Sequence, residues 1–400
     1  MNTNSKNGSA QDVAATLVKQ FRTNIQTYAI IVAMIFIWIL FSLVTNGLYL
    51  SPQNISNLIR QITVTAFLSV GMVLIIVTGN IDLSVGKVAG FVSVIVAQLQ
   101  ANIWYRLFPE QDLLAAILSV IAGLAAGTLI GAFQGYIVSY LAVPSFIVTL
   151  GAQWAFNGGI LLVTQGKTIP ANQPYFSWIG QGYLNPTGGW IAAAVVIALL
   201  FYAMFNSRQK KLRYGFELGP LYLDVLKTVM YSVMIVIYVA VVNSFNGVQI
   251  PVLLLAISAA VMAYVSNNTR FGRYAYAIGG NREAARLSGV NIKKNVFTIF
   301  VVMGLLCGVS GVVLASYIGY GTVAAGGGYE LDAIASCILG GTSTLGGEGT
   351  VFGAMIGSLI MASITNGLQI LNVPASWQYV VKGAVLVLAV YMDVYFKKNR

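Results

Sequence analysis

Long apolar runs separated by short polar stretches dominate the chain. They predict membrane-crossing helices at 28–45, 62–78, 88–105, 114–138, 144–164, 188–206, 225–245, 250–267, 296–318, 331–343, 351–371 and 376–396. A bilayer-spanning helix needs about 20 such residues. The run 331–343 is therefore short, and it either crosses or re-enters. Runs such as Tyr28 to Val44 lack the two-residue alternation of a membrane β-barrel. The first run follows 27 mostly polar residues with no small-residue cleavage site, so it reads as a retained span rather than a signal peptide. The predicted fold class is all-α, a polytopic transmembrane helical bundle of about twelve membrane segments.

Charge sharpens this picture. Only 8% of the 400 residues are charged, against about 25% in soluble domains. No charge falls between Asp112 and Lys167, a gap of 54 residues. The net charge of +11 is concentrated: 16 of the 22 basic residues lie in four polar stretches. These are Lys6, Lys19 and Arg22; Arg208, Lys210, Lys211 and Arg213; Arg270, Arg273, Arg282, Arg286, Lys293 and Lys294; and Lys397, Lys398 and Arg400. That is the positive-inside pattern of cytoplasmic loops, not a nucleic-acid surface. Twelve crossings place all four stretches and both termini on the cytoplasmic side, and put the aromatic stretch 165–187 outside.

Glycine marks where helices break. It concentrates at Gly79 to Gly90, Gly319 to Gly328 and Gly340 to Gly353. Two of these regions read as helix, glycine- and hydroxyl-rich break, helix, and Gly86 and Gly90 match Gly349 and Gly353 in spacing. Either an internal duplication of the kind transporters use or close helix packing explains this. The absence of histidine excludes Ser-His and Cys-His pairs and His-ligated zinc, while Cys307 and Cys337 read as small buried hydrophobes. Gly166-Lys167-Thr168 lacks the earlier glycine of a phosphate-binding loop, since position 161 is Leu.

The most informative polar stretch runs from Thr269 to Gly289. Asn281 is a good helix N-cap, Arg282 to Ser288 would form about two turns, and Gly289 supplies a left-handed stop. A short helix fixed at both ends between two spans suits the passing of force to a docked partner. A plain solvated positive-inside loop explains the arginines but not the cap, the paired Gly279 and Gly280, or the stop.

Glu283-Ala284-Ala285 with Gly289 resembles the EAA-type coupling helix of ABC importer permeases. The run Thr269–Gly289, Gly79-Asn80-Ile81-Asp82-Leu83-Ser84-Val85-Gly86, Pro144-Ser145-Phe146-Ile147-Val148-Thr149-Leu150-Gly151, and Gly340-Gly341-Thr342-Ser343 through Gly346-Gly347-Glu348-Gly349 together resemble the ribose, xylose and galactose permease family over about 60 to 390. Two departures stand out. Asn80 replaces the family's usual Gly, and ordinary members lack an equivalent of roughly 190–245, an enlargement most like the xylose or multiple-monosaccharide branch. The resemblance implies a monosaccharide importer subunit, not an enzyme, in the bacterial inner membrane. Its expected partners are a second permease copy, a cytoplasmic ATPase, an external sugar-binding protein and membrane lipid. ATP and Mg would sit on the ATPase, with no cofactor in this chain.

The domain reading is a cytoplasmic segment 1–27, one permease domain 28–396 and a tail 397–400. The domain includes an added two-helix segment at about 188–245, expected at its periphery, and a coupling loop at 268–295. ATPase coupling falls to Asn281, Arg282, Glu283, Ala284, Ala285, Arg286, Leu287, Ser288 and Gly289. Substrate-pathway candidates are Asn80, Asp82, Ser84, Asn157, Thr342, Ser343, Glu348 and Asn366. Asp82 is an intramembrane acid and so a functional candidate, yet Asp82 or Ser84 equally suits a cap for the helix starting near Val85, with Lys87 as neutralising partner. Glu330 and Asp332 read as external rim residues, and Lys382 as a snorkelling lysine. The rival readings are a passive sugar or small-solute channel, which needs no coupling helix, and an intramembrane enzyme, which lacks paired acid-base groups.

Overall fold

The computed structural model describes residues 25–216 and 218–398. Lys6, Lys19, Arg22 and Arg400, and with them most of the segment 1–27 and the end of the tail, lie outside the described residues. The rest is a helical bundle: α1 (Ile25–Val44), α2 (Pro52–Val77), α3 (Val85–Leu107), α4 (Asp112–Ser139), α5 (Ser145–Thr164), α6 (Pro174–Gln181), α7 (Pro186–Arg213), α8 (Leu221–Asn243), α9 (Ile250–Asn268), α10 (Arg270–Gly280), α11 (Arg282–Leu287), α12 (Ile292–Ile318), α13 (Tyr329–Leu339), α14 (Val351–Ile370) and α15 (Ala375–Lys398). Among the described residues ten helices are long and apolar enough to cross a membrane, and α1 contributes a shorter apolar stretch, Ile30–Val44. This is a polytopic, multi-pass membrane protein.

The bundle is built on α12. Gly123, Gly127, Gly131 and Gly135 form one stripe of α4, and it faces Phe300, Gly304 and Gly308 of α12. The backbones touch. A Cβ on Gly127 would stand 2.4 Å from the Gly304 carbonyl oxygen, and one on Gly304 would stand 2.3 Å from that of Gly127. Such small-residue stripes are how helices associate in lipid, where burial of apolar surface gives no net drive. On its other faces α12 takes α2, with Ser310 Oγ donating to the Val64 carbonyl at 2.8 Å. It also takes α6, with Ser316 Oγ donating to the Phe176 carbonyl at 2.6 Å. α2 is the most enclosed helix, with Phe67, Leu68, Val70, Met72 and Val73 fully buried.

The two ends of the bundle are distinct. One carries α10, α11, Val77 and the α4–α5 turn, and is called the basic end below. The other carries α6 and a two-residue ladder, β1 (Ile169–Pro170) antiparallel to β2 (Tyr320–Gly321).

Several boundaries differ from expectation. α2 begins ten residues before the predicted 62, because Ser51 caps it, with its side chain accepting from Asn54 N–H, and Pro52 opens it. Its polar first turns hid it from hydropathy. α7 does not stop at 206. It runs to Arg213, so the basic residues 208–213 are its last turns rather than a turn between helices, and Arg208 pairs with Asp224 on α8. α7 and α8 share a small cluster of their own around Ala193, Val239, Val242 and Val248 and leave most of their surface exposed.

The segment predicted at 331–343 neither spans alone nor re-enters. α13 has 11 residues, or about 16 Å of rise. Before it the chain descends from β2 through a series of turns at 323–328, passing Gly321 against Val94 and Ala97 and then Gly326 against Gly86. After it Gly347 N–H reaches the Val77 carbonyl at the basic end. Residues 320–339 thus make one broken traverse of the bundle. The break also corrects the proposed repeat register. Gly86 and Gly90 sit in the first turns of α3 against Gly326 and Ala325, whereas Gly353 and Gly357, not Gly349 and Gly353, hold that place in α14, against Gly340 and Ser336.

The α4–α12 contact makes a paired prediction. Gly127→Ala has no room and should lower the thermal midpoint of the purified protein, at a cost of about 1–3 kcal/mol. Gly151→Ala on α5 has open space around its Cβ, so it should hold or raise the midpoint by relieving glycine's entropy loss. Equal effects at the two positions would count against the close-packed stripe.

Candidate functional site

At the basic end the run 269–289 is two capped helices, not one loop with a helix at its end. Thr269 caps α10, its Oγ1 accepting from Gly272 N–H at 3.2 Å. α10 buries Gly272, Ala275 and Ile278 and leaves its other face out. Burial pushes the Tyr276 hydroxyl pKa up, and that hydroxyl donates to the Gly349 carbonyl at 2.8 Å. The C-terminus of α10 is wedged in, since a Cβ on Gly279 would stand 1.7 Å from the Val77 carbonyl oxygen and 2.5 Å from Gly347 N.

α11 follows as expected. Asn281 Oδ1 accepts from Ala284 N–H at 2.9 Å. Gly289 is left-handed, with φ +81°. Gly289 N–H donates to the Arg286 carbonyl at 3.0 Å and Val290 N–H to that of Ala285 at 3.1 Å, a Schellman stop. Ala285 is the buried residue of α11. Arg282, Glu283, Ala284, Arg286, Leu287 and Ser288 are exposed, Leu287 by 79%. Glu283 and Arg286 pair on the surface, where such a pair adds little stability. The helix is rigidly presented and almost wholly uncovered.

The break between α2 and α3 gathers Asn80, Asp82 and Ser84 near the basic end. Asp82 is 2% exposed, and its Oδ1 accepts from Ser84 N–H at 2.8 Å and from Ser84 Oγ at 2.7 Å. This is an Asx turn leading into α3, whose first turn has no side-chain cap. Gln134 Nε2 of α4 donates to Ser84 Oγ at 2.9 Å, and Thr149 Oγ1 of α5 accepts from Leu83 N–H at 3.1 Å. Lys87 does not neutralise Asp82. Its ammonium lies on the other side, 3.7 Å from where a Cβ on Gly327 would be. Asn80 Nδ2 turns back to Thr78 Oγ1 at 3.1 Å.

The second break holds Thr342 and Ser343, both buried, and the exposed Glu348, whose carbonyl accepts from Ser343 N–H at 2.9 Å. Asn366 lies elsewhere, in a reciprocal amide pair with Asn54 at 2.9 and 3.1 Å. Asn157 is half-buried on α5. The two breaks therefore converge at the basic end, while Asn157 and Asn366 stand apart from them and from each other.

None of the eight lines a cavity found elsewhere in the bundle. This cavity, of about 410 Å³, lies between α15 and the bundle core, against Gln61, Thr65, Tyr317, Thr365, Gln369 and the start of α13. On its wall Lys382 Nζ donates to Asp332 Oδ2 at 2.8 Å. Two expectations are corrected here. Asp332 and Glu330 are not rim residues, being 8% and 5% exposed, and Glu330 Oε1 accepts from Gln153 Nε2 at 3.0 Å. Lys382 does not snorkel, because an acid on the half-helix beside it meets its charge at depth.

A family model described as "Branched-chain amino acid transport system / permease component" matches residues 54–390. A xylose transport system permease protein of Haemophilus influenzae is 40% identical over 377 residues, 94% of this chain and 98% of its own. The xylose permease of Escherichia coli K12 is 39% identical, covering 94% and 93%. A ribose import permease protein of the same organism is 31% identical, covering 86% and 87%. No solved structure matches the chain.

The Asx turn distinguishes two substitutions. Asp82→Asn keeps an Oδ1 that accepts both Ser84 bonds and should leave the thermal midpoint nearly unchanged. Asp82→Ala strands a buried N–H and should cost about 1–3 kcal/mol. Thermal unfolding of the two purified variants checks this, and an Asn variant as unstable as Ala would show that the charge, not the turn, matters.

Proposed function

This chain belongs to the family of branched-chain amino acid transport system permease components, and from that premise we propose that it is the transmembrane permease subunit of an ATP-binding-cassette importer for monosaccharides, of the xylose type. The observation that carries this reading is α11: a helix capped at one end, stopped at the other, anchored through α10 to Val77 and exposed on nearly every residue. Such a helix has no packing role in its own bundle, and a passive channel would have no use for it. The near-full-length match to xylose permeases supports the sugar class.

In this reading the basic end is cytoplasmic, by the positive-inside rule, and both termini lie there, in the bacterial inner membrane. A separate ATPase docks on Asn281 to Gly289 and supplies the hydrolysis, so the chain itself is a transport subunit and not an enzyme. A second permease copy and an external sugar-binding protein complete the complex. Movement imposed on α11 passes through α10 to Gly347, which shares the Val77 carbonyl with Gly279. The same loop reaches α15, since Thr344 N–H and Oγ1 both donate to Asp393 Oδ2, at 3.3 and 3.1 Å. ATP-driven closure would then switch the permease between outward- and inward-facing states as a largely rigid-body change.

Gly289→Pro tests the docking role. Proline cannot take φ +81° and has no N–H for the Arg286 carbonyl. The variant should reach the membrane at normal abundance but fail to bind the ATPase or stimulate its hydrolysis; sugar-stimulated hydrolysis at the wild-type rate would refute the assignment. Orientation is tested separately by Gln209→Cys, an exposed position in the last turns of α7. It should react with impermeant thiol reagents from the cytoplasmic side alone, and labelling from outside would reverse the topology.

A further inference from the structure

We propose that the cavity between α15 and the bundle core is the sugar-binding site of this permease, and that the Asp332–Lys382 pair on its wall engages vicinal hydroxyls of the sugar. The inference rests on the importer reading and names where its substrate is held.

Size and lining agree with such a ligand. About 410 Å³ lies within the range of small-molecule pockets. A monosaccharide has apolar C–H faces and a rim of hydroxyls. The cavity offers the aromatic rings of Tyr317, Tyr329 and Tyr379 for the first and the amides of Gln61, Gln369 and Gln378 for the second. A crevice for a lipid tail would need no such polar groups.

The ion pair is the stronger sign. Two charges at membrane depth are a poor way to hold helices together, because an apolar pair of similar volume does so as well or better. Here both remain within reach of the cavity, with side chains 22% (Lys382) and 12% (Asp332) exposed. Lys382 spends one N–H on Asp332, and its other two donors have no hydrogen-bond partner among the described residues. The carboxylate can accept from one hydroxyl while the ammonium beside it donates to the neighbouring one, and hydrogen bonds to charged groups are the strong ones. The pair is also neutral overall. It suits an uncharged polyol, whereas an anion or cation would have to displace one partner.

The test uses the full importer in vesicles, with D-xylose, D-ribose and D-galactose as probes. Asp332→Asn/Lys382→Gln removes both charges without stranding either. D-xylose uptake should fall at least about tenfold, the loss of one charge-assisted hydrogen bond, and the relative uptake of the three sugars should change. Membrane abundance and co-purification with the ATPase should stay normal. Thr365→Cys gives a second route that leaves the pair intact. The native Cys307 and Cys337 are buried, at 2% and 0% exposed, so a bulky thiol reagent should mark Thr365→Cys selectively and block uptake. Wild-type uptake and sugar preference in the double variant, or full uptake after stoichiometric labelling at 365, would overturn the proposal. So would loss of ATPase co-purification in the double variant, which would make the pair a structural tie. A wild-type complex that carries none of the three sugars would instead strike at the importer reading, and this site with it.

Discussion

The contact between α4 and α12 through bare backbone is the constraint on which the rest of the molecule depends. With Gly127 and Gly304 facing each other at carbonyl distance, the two helices pack as closely as helices can. Dispersion at such short range replaces the hydrophobic drive that lipid removes. The position of α12 then sets most of the others. Ser310 fixes the height of α2, Ser316 fixes α6, and Gly311 admits α3 by leaving room for Ala89 and Val92. Each of these serines satisfies a main-chain carbonyl where no water can, so packing and polar satisfaction are met by the same small residues.

The two broken segments have a common purpose in this scaffold. An unbroken helix offers no free backbone groups at depth, and it cannot bring side chains of both neighbours to one level. By ending α2 at Val77 and α14's approach at Gly347, the chain gathers an otherwise unsatisfiable set of N–H and carbonyl groups into one knot at the basic end. Irregular backbone is tolerated there because protein, not lipid, surrounds it. The knot is also where α10 is seated, so the place that relaxes helical regularity is the place a docked partner would press.

What the sequence made legible follows from how far each physical signal reaches. Apolar runs report bilayer length, and they placed every long helix. They missed the first turns of α2, where Asn54, Asn57, Arg60 and Gln61 are polar yet helical, and the last turns of α7. Capping chemistry is local, so Asn281 and Gly289 were read correctly from neighbours alone. α10 escaped notice because its cap, Thr269, sits directly at the end of α9. The Asp332–Lys382 pair is a contact across 50 positions, and no local rule joins those residues. Treated singly, each took the ordinary fate of a charge near a membrane, rim or snorkel. The glycine stripe of α4 shows a similar limit. Its four-residue spacing is present in the sequence, but only the facing glycines of α12 reveal it as a seam.

The two polar contacts of α15 have a geometric consequence. Lys382 meets Asp332 of α13, and Asp393 meets Thr344 of the 343–349 loop. They lie eleven residues apart, about 16 Å or three turns along the axis, and Ala375 lies about 10 Å beyond Lys382 on the far side. One helix therefore runs from the knot at the basic end to the wall of the cavity. A shift of the 343–349 loop has a direct route to the cavity along that axis, with no other element needed between them.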